Sequence, residues 1–207
     1  MSTSSLPSTA STKPFSWVPT LYFAEGIPYT VVTVVSVMML KKLGMDNAAL
    51  SFWTSWLMLP WIFKPLWAPL IDLRSTKRRW ILALQFGMAA IFALAAFAMP
   101  LACATKAILW LFLALAFFSA THDAAADGFY MIAIDSHAQA AYSGIRSTFY
   151  RAAMIIAQGA LVMLAGFVEA HSSTRTAWTA YLALAAAIFA ALGLYHFFML
   201  PKPEAGK

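Results

Sequence analysis

Residues 119–135 read S-A-T-H-D-A-A-A-D-G-F-Y-M-I-A-I-D and place acids inside an otherwise apolar run that begins near Ala107. Asp123 and Asp127 stand four residues apart, so on a helix they share one face, with His122 on its flank. At the centre of a membrane helix one Asp costs roughly 3 kcal/mol, whereas a Leu gains about 0.5 kcal/mol. A span carrying two acids must recover that cost from partners or from function, and these acids are the first candidates for a functional site.

The surrounding chain supports a membrane setting. Of its 207 residues 62% are hydrophobic and 11% charged, and the mean hydropathy is +0.73. A soluble domain holds roughly 45–50% apolar residues. Apolar runs over residues 15–40, 47–71, 80–99, 107–134, 146–168 and 177–200 give six expected spans of about 20 residues or more. The fold class expected is all-α and polytopic, with residues 1–14 as a disordered cytoplasmic tail, residues 15–200 as the transmembrane domain and residues 201–207 as a second cytoplasmic tail.

Glu25-Gly26-Ile27-Pro28 interrupts the first run, and Gly44 is placed to stop it. Pro60, Pro65 and Pro69 should kink the second. Residues 135–145 are polar enough to form a loop. Ala153, Ala157, Gly159 and Gly166 are small residues suited to close helix packing in the fifth span.

The net charge is +6, but the basic residues sit mainly beside apolar runs, where topology explains them and no nucleic-acid partner is needed. Nine of the fourteen Lys and Arg fall on one side: Lys13, Arg74, Lys77, Arg78, Arg79, Arg146, Arg151, Lys202 and Lys207. That excess makes the side cytoplasmic, with both termini facing it and the bulk in the inner membrane. The single cysteine, Cys103, cannot close an internal disulfide. No ligand spacing points to a metal, and nothing calls for a cofactor.

At about 1.5 Å per helical residue, Glu25, Lys64, Asp123 and Asp127 all fall about 12–18 Å from the inner ends of their spans, with Arg151 shallower. Three acids and two bases thus share one layer, leaving one acid without a basic partner. Such an acid is placed to bind and release a proton as a cavity hydrates from either side. The same charges would also serve as static pairs or snorkel to the interface, and His122 would equally serve by donating to a backbone carbonyl.

Residues 61–72, W-I-F-K-P-L-W-A-P-L-I-D, resemble the second-helix motif of the AmpG-like branch of the major facilitator superfamily, which contains muropeptide permeases and acetyl-CoA transporters. Residues 119–123 followed by Asp127 resemble its fourth helix, Phe149-Tyr150-Arg151 its fifth, and Glu25-Gly26-Ile27-Pro28 its first. The resemblance implies a proton-coupled secondary transporter working by alternating access, for an organic solute such as a muropeptide-like or other anionic metabolite. It implies no enzyme.

It also implies a bundle of two inverted three-helix repeats, a proton or substrate pathway through Glu25, Lys64, His122, Asp123, Asp127 and Arg151, and a gating loop at Asp72, Arg74, Lys77, Arg78 and Arg79. The loop departs from the family pattern, with Ala68 in place of the usual glycine and Leu73 in place of the usual Arg. Partners would be membrane lipid, the solute, protons and a second six-helix half, supplied by a second copy, a separate chain or further sequence. Two other classes are a non-transporting assembly subunit and a membrane enzyme with a divalent metal on Asp123 and Asp127. Against the enzyme, D-A-A-A-D-G lacks the further carboxylates of CDP-alcohol phosphotransferases.

Overall fold

The structure, a computed structural model, describes residues 13–202 apart from the side chains of Asp72 and Arg74. Residues 1–12 and 203–207 of the expected tails lie outside the described residues. Pro14 already belongs to a short helical turn, Pro14–Ser16. All regular structure among the described residues is helical.

The first rod comprises α1 (Val18–Thr30), a π-helical stretch (Val31–Val35) and α2 (Ser36–Lys42). It does not break at Glu25–Pro28, as the sequence led us to expect; the helix runs through Pro28 and widens one turn later. Pro28 lacks the N–H that an α-helix needs, and polar side chains take up nearby carbonyls. Thr30 donates its hydroxyl to Gly26 O (2.7 Å) and Thr33 donates to Tyr29 O (2.8 Å). Gly44, at φ 90°, ends the rod as expected.

Asp46 opens α3 (Asn47–Arg74), its carboxylate accepting from the Ala49 N–H at 3.0 Å. α3 stays helical through all three prolines. Thr76 caps α4 (Lys77–Ala98), and α5 (Ala104–Ala133) follows. Residues 136–145 are helix, not loop. Asp135 caps α6 (Ser136–Ile155) by accepting from the Ala138 N–H. Tyr130 donates to Gln139 O, and Gln139 Nε2 donates to Ile134 O and Met131 O, closing the α5–α6 turn over two residues. Polarity misled here because an interfacial helix buries only one face. A second π-helical stretch (Ile156–Ala160) joins α6 to α7 (Leu161–His171), and α8 (Thr174–Met199) completes the chain.

The result is six rods. Five (Pro14–Lys42, Lys77–Ala98, Ala104–Ala133, Ser136–His171 and Thr174–Met199) are long and apolar enough to cross a membrane, and α3 is a sixth candidate by its length of 28 residues.

α4 packs between α5 and α8, α3 lies on α5, and α1 lies on α6, where the two π-helical stretches also meet. With lipid as apolar as a core, close packing must hold these helices together. A Cβ at Gly26 would sit 2.5 Å from Tyr150 O and 2.8 Å from the Ala153 Cβ, so only glycine permits this α1–α6 approach. Ala153 and Ala157 are buried there, as expected. Gly159 and Gly166 instead face open space. Large apolar side chains such as Phe97, Trp110, Met163 and Phe198 lie exposed on the outside, where lipid would cover them.

Two apolar clusters fill the interior. One runs through Val31, Val35, Phe92, Phe112 and Phe189, the other through Trp17, Leu21, Ile81, Phe129 and Tyr130. Between them on α1, α4, α5 and α8 lie the buried polar residues Glu25, Gln85, Ser119, His122 and His196. That polar layer positions the site.

Candidate functional site

On one side of the layer opens a cavity of about 380 Å³. α6 supplies most of its wall through Ser143, Arg146, Ser147, Tyr150 and Arg151, spaced so that they recur on one helical face. Tyr22 and Glu25 from α1 and Asp127 from α5 complete it.

Arg146 is the basic partner of Asp127, with Nη2 2.6 Å from Oδ1. Its guanidinium lies 4.1 Å from the ring centre of Tyr22 and 4.4 Å from that of Tyr130, a cation–π sandwich that aims the fork at the carboxylate. The Tyr22 hydroxyl donates to the same oxygen at 3.0 Å. Arg146 keeps 30% of its side chain exposed and Asp127 43%, so the pair faces the open cavity.

The sequence placed Arg146 among the topology-setting charges, because residues 135–145 looked like a loop. The signal available was the i, i+3, i+4, i+7 recurrence of Ser143, Arg146, Ser147 and Tyr150.

Asp123, one turn deeper than Asp127, accepts from Trp61 Nε1 at 3.2 Å. Trp61 in turn meets Tyr29 edge-on at 5.3 Å. Lys64, half-buried on α3, acts electrostatically on Glu25 and Asp123 without an ion pair among the described residues. Arg151 is exposed on the cavity wall. Of the expected cluster, the fold therefore brings Glu25, Asp127 and Arg151 to the cavity and sets His122 and Asp123 behind it.

His122 is fully buried and bonded to a side chain, Gln85, rather than to a backbone carbonyl: Gln85 Nε2 lies 3.0 Å from His122 Nε2. The chain continues from Gln85 Oε1 to His196 Nδ1 (2.9 Å) and from His196 Nε2 to Thr20 Oγ1 (2.9 Å), linking α5, α4, α8 and α1. Gln85, His196 and Thr20 escaped the sequence analysis because each stands alone in an apolar helix with no neighbour in sequence to betray its partner. One ligand atom from each of Glu25, His122 and Asp123 lies within 4.8 Å of the others, a group that residue spacing had not revealed.

In the expected gating loop, Arg78 donates from Nε to Leu200 O (3.1 Å) and from Nη2 to Phe197 O, holding the end of α8. Lys77 packs its methylenes against Gly128, where a Cβ would lie 2.3 Å from Cε. Arg79 is exposed. The side chains of Asp72 and Arg74 lie outside those described.

A family model described as the BT1 family matches residues 24–205. The chain belongs to the BT1 family. This family is of major-facilitator type and includes the AmpG and acetyl-CoA transporter branch that the sequence motifs resemble, so this BT1-family chain is a membrane transporter by family. No solved structure matches it. The match begins one residue before Glu25 and takes in every layer and cavity residue named above except Thr20 and Tyr22.

Proposed function

We propose that this chain is one half of a secondary active transporter that moves an organic anion across the inner membrane by alternating access, coupled to protons. The observation that carries the reading is the Arg146–Asp127 pair, held between two tyrosines in an open cavity. A substrate carboxylate or phosphate competes with Asp127 for the guanidinium fork. Once displaced, Asp127 retains only the Tyr22 hydroxyl and takes up a proton. Substrate and proton therefore load together, and the ion pair re-forms once both have left. Arg151 adds a second positive charge for the anion, and Ser143, Ser147 and Tyr150 add hydroxyls.

Charged side chains exposed at membrane depth face water or protein rather than lipid. We therefore place a second six-helix half across the cavity, from a second copy, another chain or further sequence. The resemblance to the AmpG-like branch supports two inverted three-helix repeats and a muropeptide-like solute. The excess of Lys and Arg on one side supports cytoplasmic termini.

The test is uptake of a labelled anhydromuropeptide into proteoliposomes under an imposed pH gradient. Asp127→Asn is expected to abolish gradient-driven accumulation while retaining counterflow exchange, and Arg146→Gln to lose both. Undiminished accumulation by Asp127→Asn would remove this residue from coupling.

A further inference from the structure

Behind the cavity, four polar atoms have no partner among the described residues, Ser119 Oγ and three more. Glu25 Oε1, His122 Nδ1 and Asp123 Oδ1 are all buried without a hydrogen-bond partner. Glu25 is 5% exposed and His122 0%. The three residues offer ligand atoms within 4.8 Å of one another, yet no hydrogen bond joins them. Groups spaced in this way leave room for an ion between them.

The hydrogen-bond chain sets what His122 presents. Thr20 donates its one hydroxyl proton to Trp17 O (3.1 Å), so its oxygen accepts from His196 Nε2. His196 Nδ1 is then an acceptor and takes a hydrogen from the Gln85 amide. This reverses the amide as placed, with Oε1 toward His196 and Nε2 toward His122; the two atoms are nearly interchangeable in shape, and the reversal turns the Gln85 carbonyl toward His122. His122 Nε2 therefore donates, and Nδ1 is left as a bare lone pair beside two carboxylates. A histidine whose second nitrogen donates to a carbonyl is in the arrangement that metal-ligating histidines adopt, and the Trp61 N–H on Asp123 Oδ2 supports that ligand in the same way.

Charge agrees. Asp127 is matched by Arg146, whereas neither Glu25 nor Asp123 has an ion pair among the described residues. Two carboxylates and a neutral imidazole carry a charge of −2, of which the half-buried Lys64, acting on both acids, offsets at most one.

We propose that Glu25, His122 and Asp123 form a binding site for a divalent first-row transition-metal ion such as Zn²⁺, Mn²⁺ or Co²⁺. The imidazole selects these over Mg²⁺ and Ca²⁺, which prefer oxygen throughout, and three protein ligands leave positions open. Ligands about 2.1 Å from an ion stand roughly 3.4–4.2 Å apart, so the group closes by about 1 Å on binding. The ion ties α1 to α5 beside the cavity. This inference goes beyond the transport reading and does not depend on it.

The test uses the purified full chain in detergent, without substrate or gradient. Isothermal titration with Zn²⁺ is expected to give one ion per chain, and Co²⁺ to give a visible absorption band. Glu25→Gln and Asp123→Asn, both nearly isosteric, are expected to weaken binding at least tenfold and to bleach the Co²⁺ band, while Gln85→Leu weakens it roughly tenfold from the outer shell. Asp127→Asn is expected to bind as the parent does. Metal-free thermal unfolding confirms that each variant folds. No stoichiometric Zn²⁺ binding by the parent chain, or equal binding by Glu25→Gln and Asp123→Asn, overturns the proposal; the latter would assign the ion to the exposed His137 or His171. A chain that transports yet binds no metal loses this inference alone.

Discussion

The Arg146–Asp127 pair and the Glu25–His122–Asp123 group meet on α5, where Asp123 and Asp127 stand one turn apart, yet they solve the problem of charge in a membrane in opposite ways. Asp127 is partly open to the cavity and has a cation, two aromatic rings and a hydroxyl around it. Glu25, which only edges the cavity, and His122 are almost fully buried and keep an unpartnered atom each. A paired, hydrated charge can exchange partners at low cost, which suits a substrate site. A buried group of acids without ion pairs must be neutralised, by a proton or by an ion bound between them. The two proposed roles thus divide by exposure, not by residue type, since both use carboxylates.

The largest effect expected in testing this contrast concerns the α1–α6 crossing that holds both sites in place. Gly26→Val drives side-chain atoms into Tyr150 O and Ala153, and is expected to cost on the order of 4 kcal/mol. Gly159→Val, in open space, is expected to cost less than about 1 kcal/mol. Thermal unfolding in detergent compares the two; equal losses would mean that the crossing is not the constraint.

Gln85→Leu comes next. It strands one nitrogen on each of two buried imidazoles and is expected to cost about 2 kcal/mol, because each buried bond lost is worth about 1 kcal/mol. Arg146→Gln removes an ion pair that is about a third exposed, and screening holds its stability cost below about 1 kcal/mol, although uptake should fail. A large loss of stability there would erase the distinction between the exchangeable and the closed site.

The smallest effect lies outside both sites and serves as a baseline. The Ala49 N–H holds the Asp46 carboxylate below the usual aspartate range. Its stabilisation is therefore full at neutral pH and is lost only as pH falls below that range toward the folded-state value. Asp46→Asn, which keeps the cap but cannot titrate, is expected to flatten this acid limb of the unfolding profile.

Much of the scaffold was legible. Gly44 announced a helix end because it acts through backbone conformation and bonds within a turn or two. Asp123 and Asp127 stood out because acids are costly in an apolar run. The partner of Asp127 was not legible: Arg146 lies across the α5–α6 turn, and the polar residues after Asp135 disguised a helix as a loop. Pro28 misled in the same direction, since hydroxyls and neighbouring helices stabilise a proline-containing span in ways that local propensity does not register.

Composition and spacing alone determined that this chain is helical and membrane-embedded, because only an apolar helix of about 20 residues satisfies its backbone in hydrocarbon. They also determined which side chains would be costly there. Only the tertiary structure decided which of those charges is neutralised, which is left wanting an occupant, and that Gln85, His196 and Thr20 belong with His122. Pairing depends on the rotation and depth at which helices meet, and that is set by close contacts such as Gly26 against Tyr150 and Ala153, between residues more than a hundred positions apart in the chain.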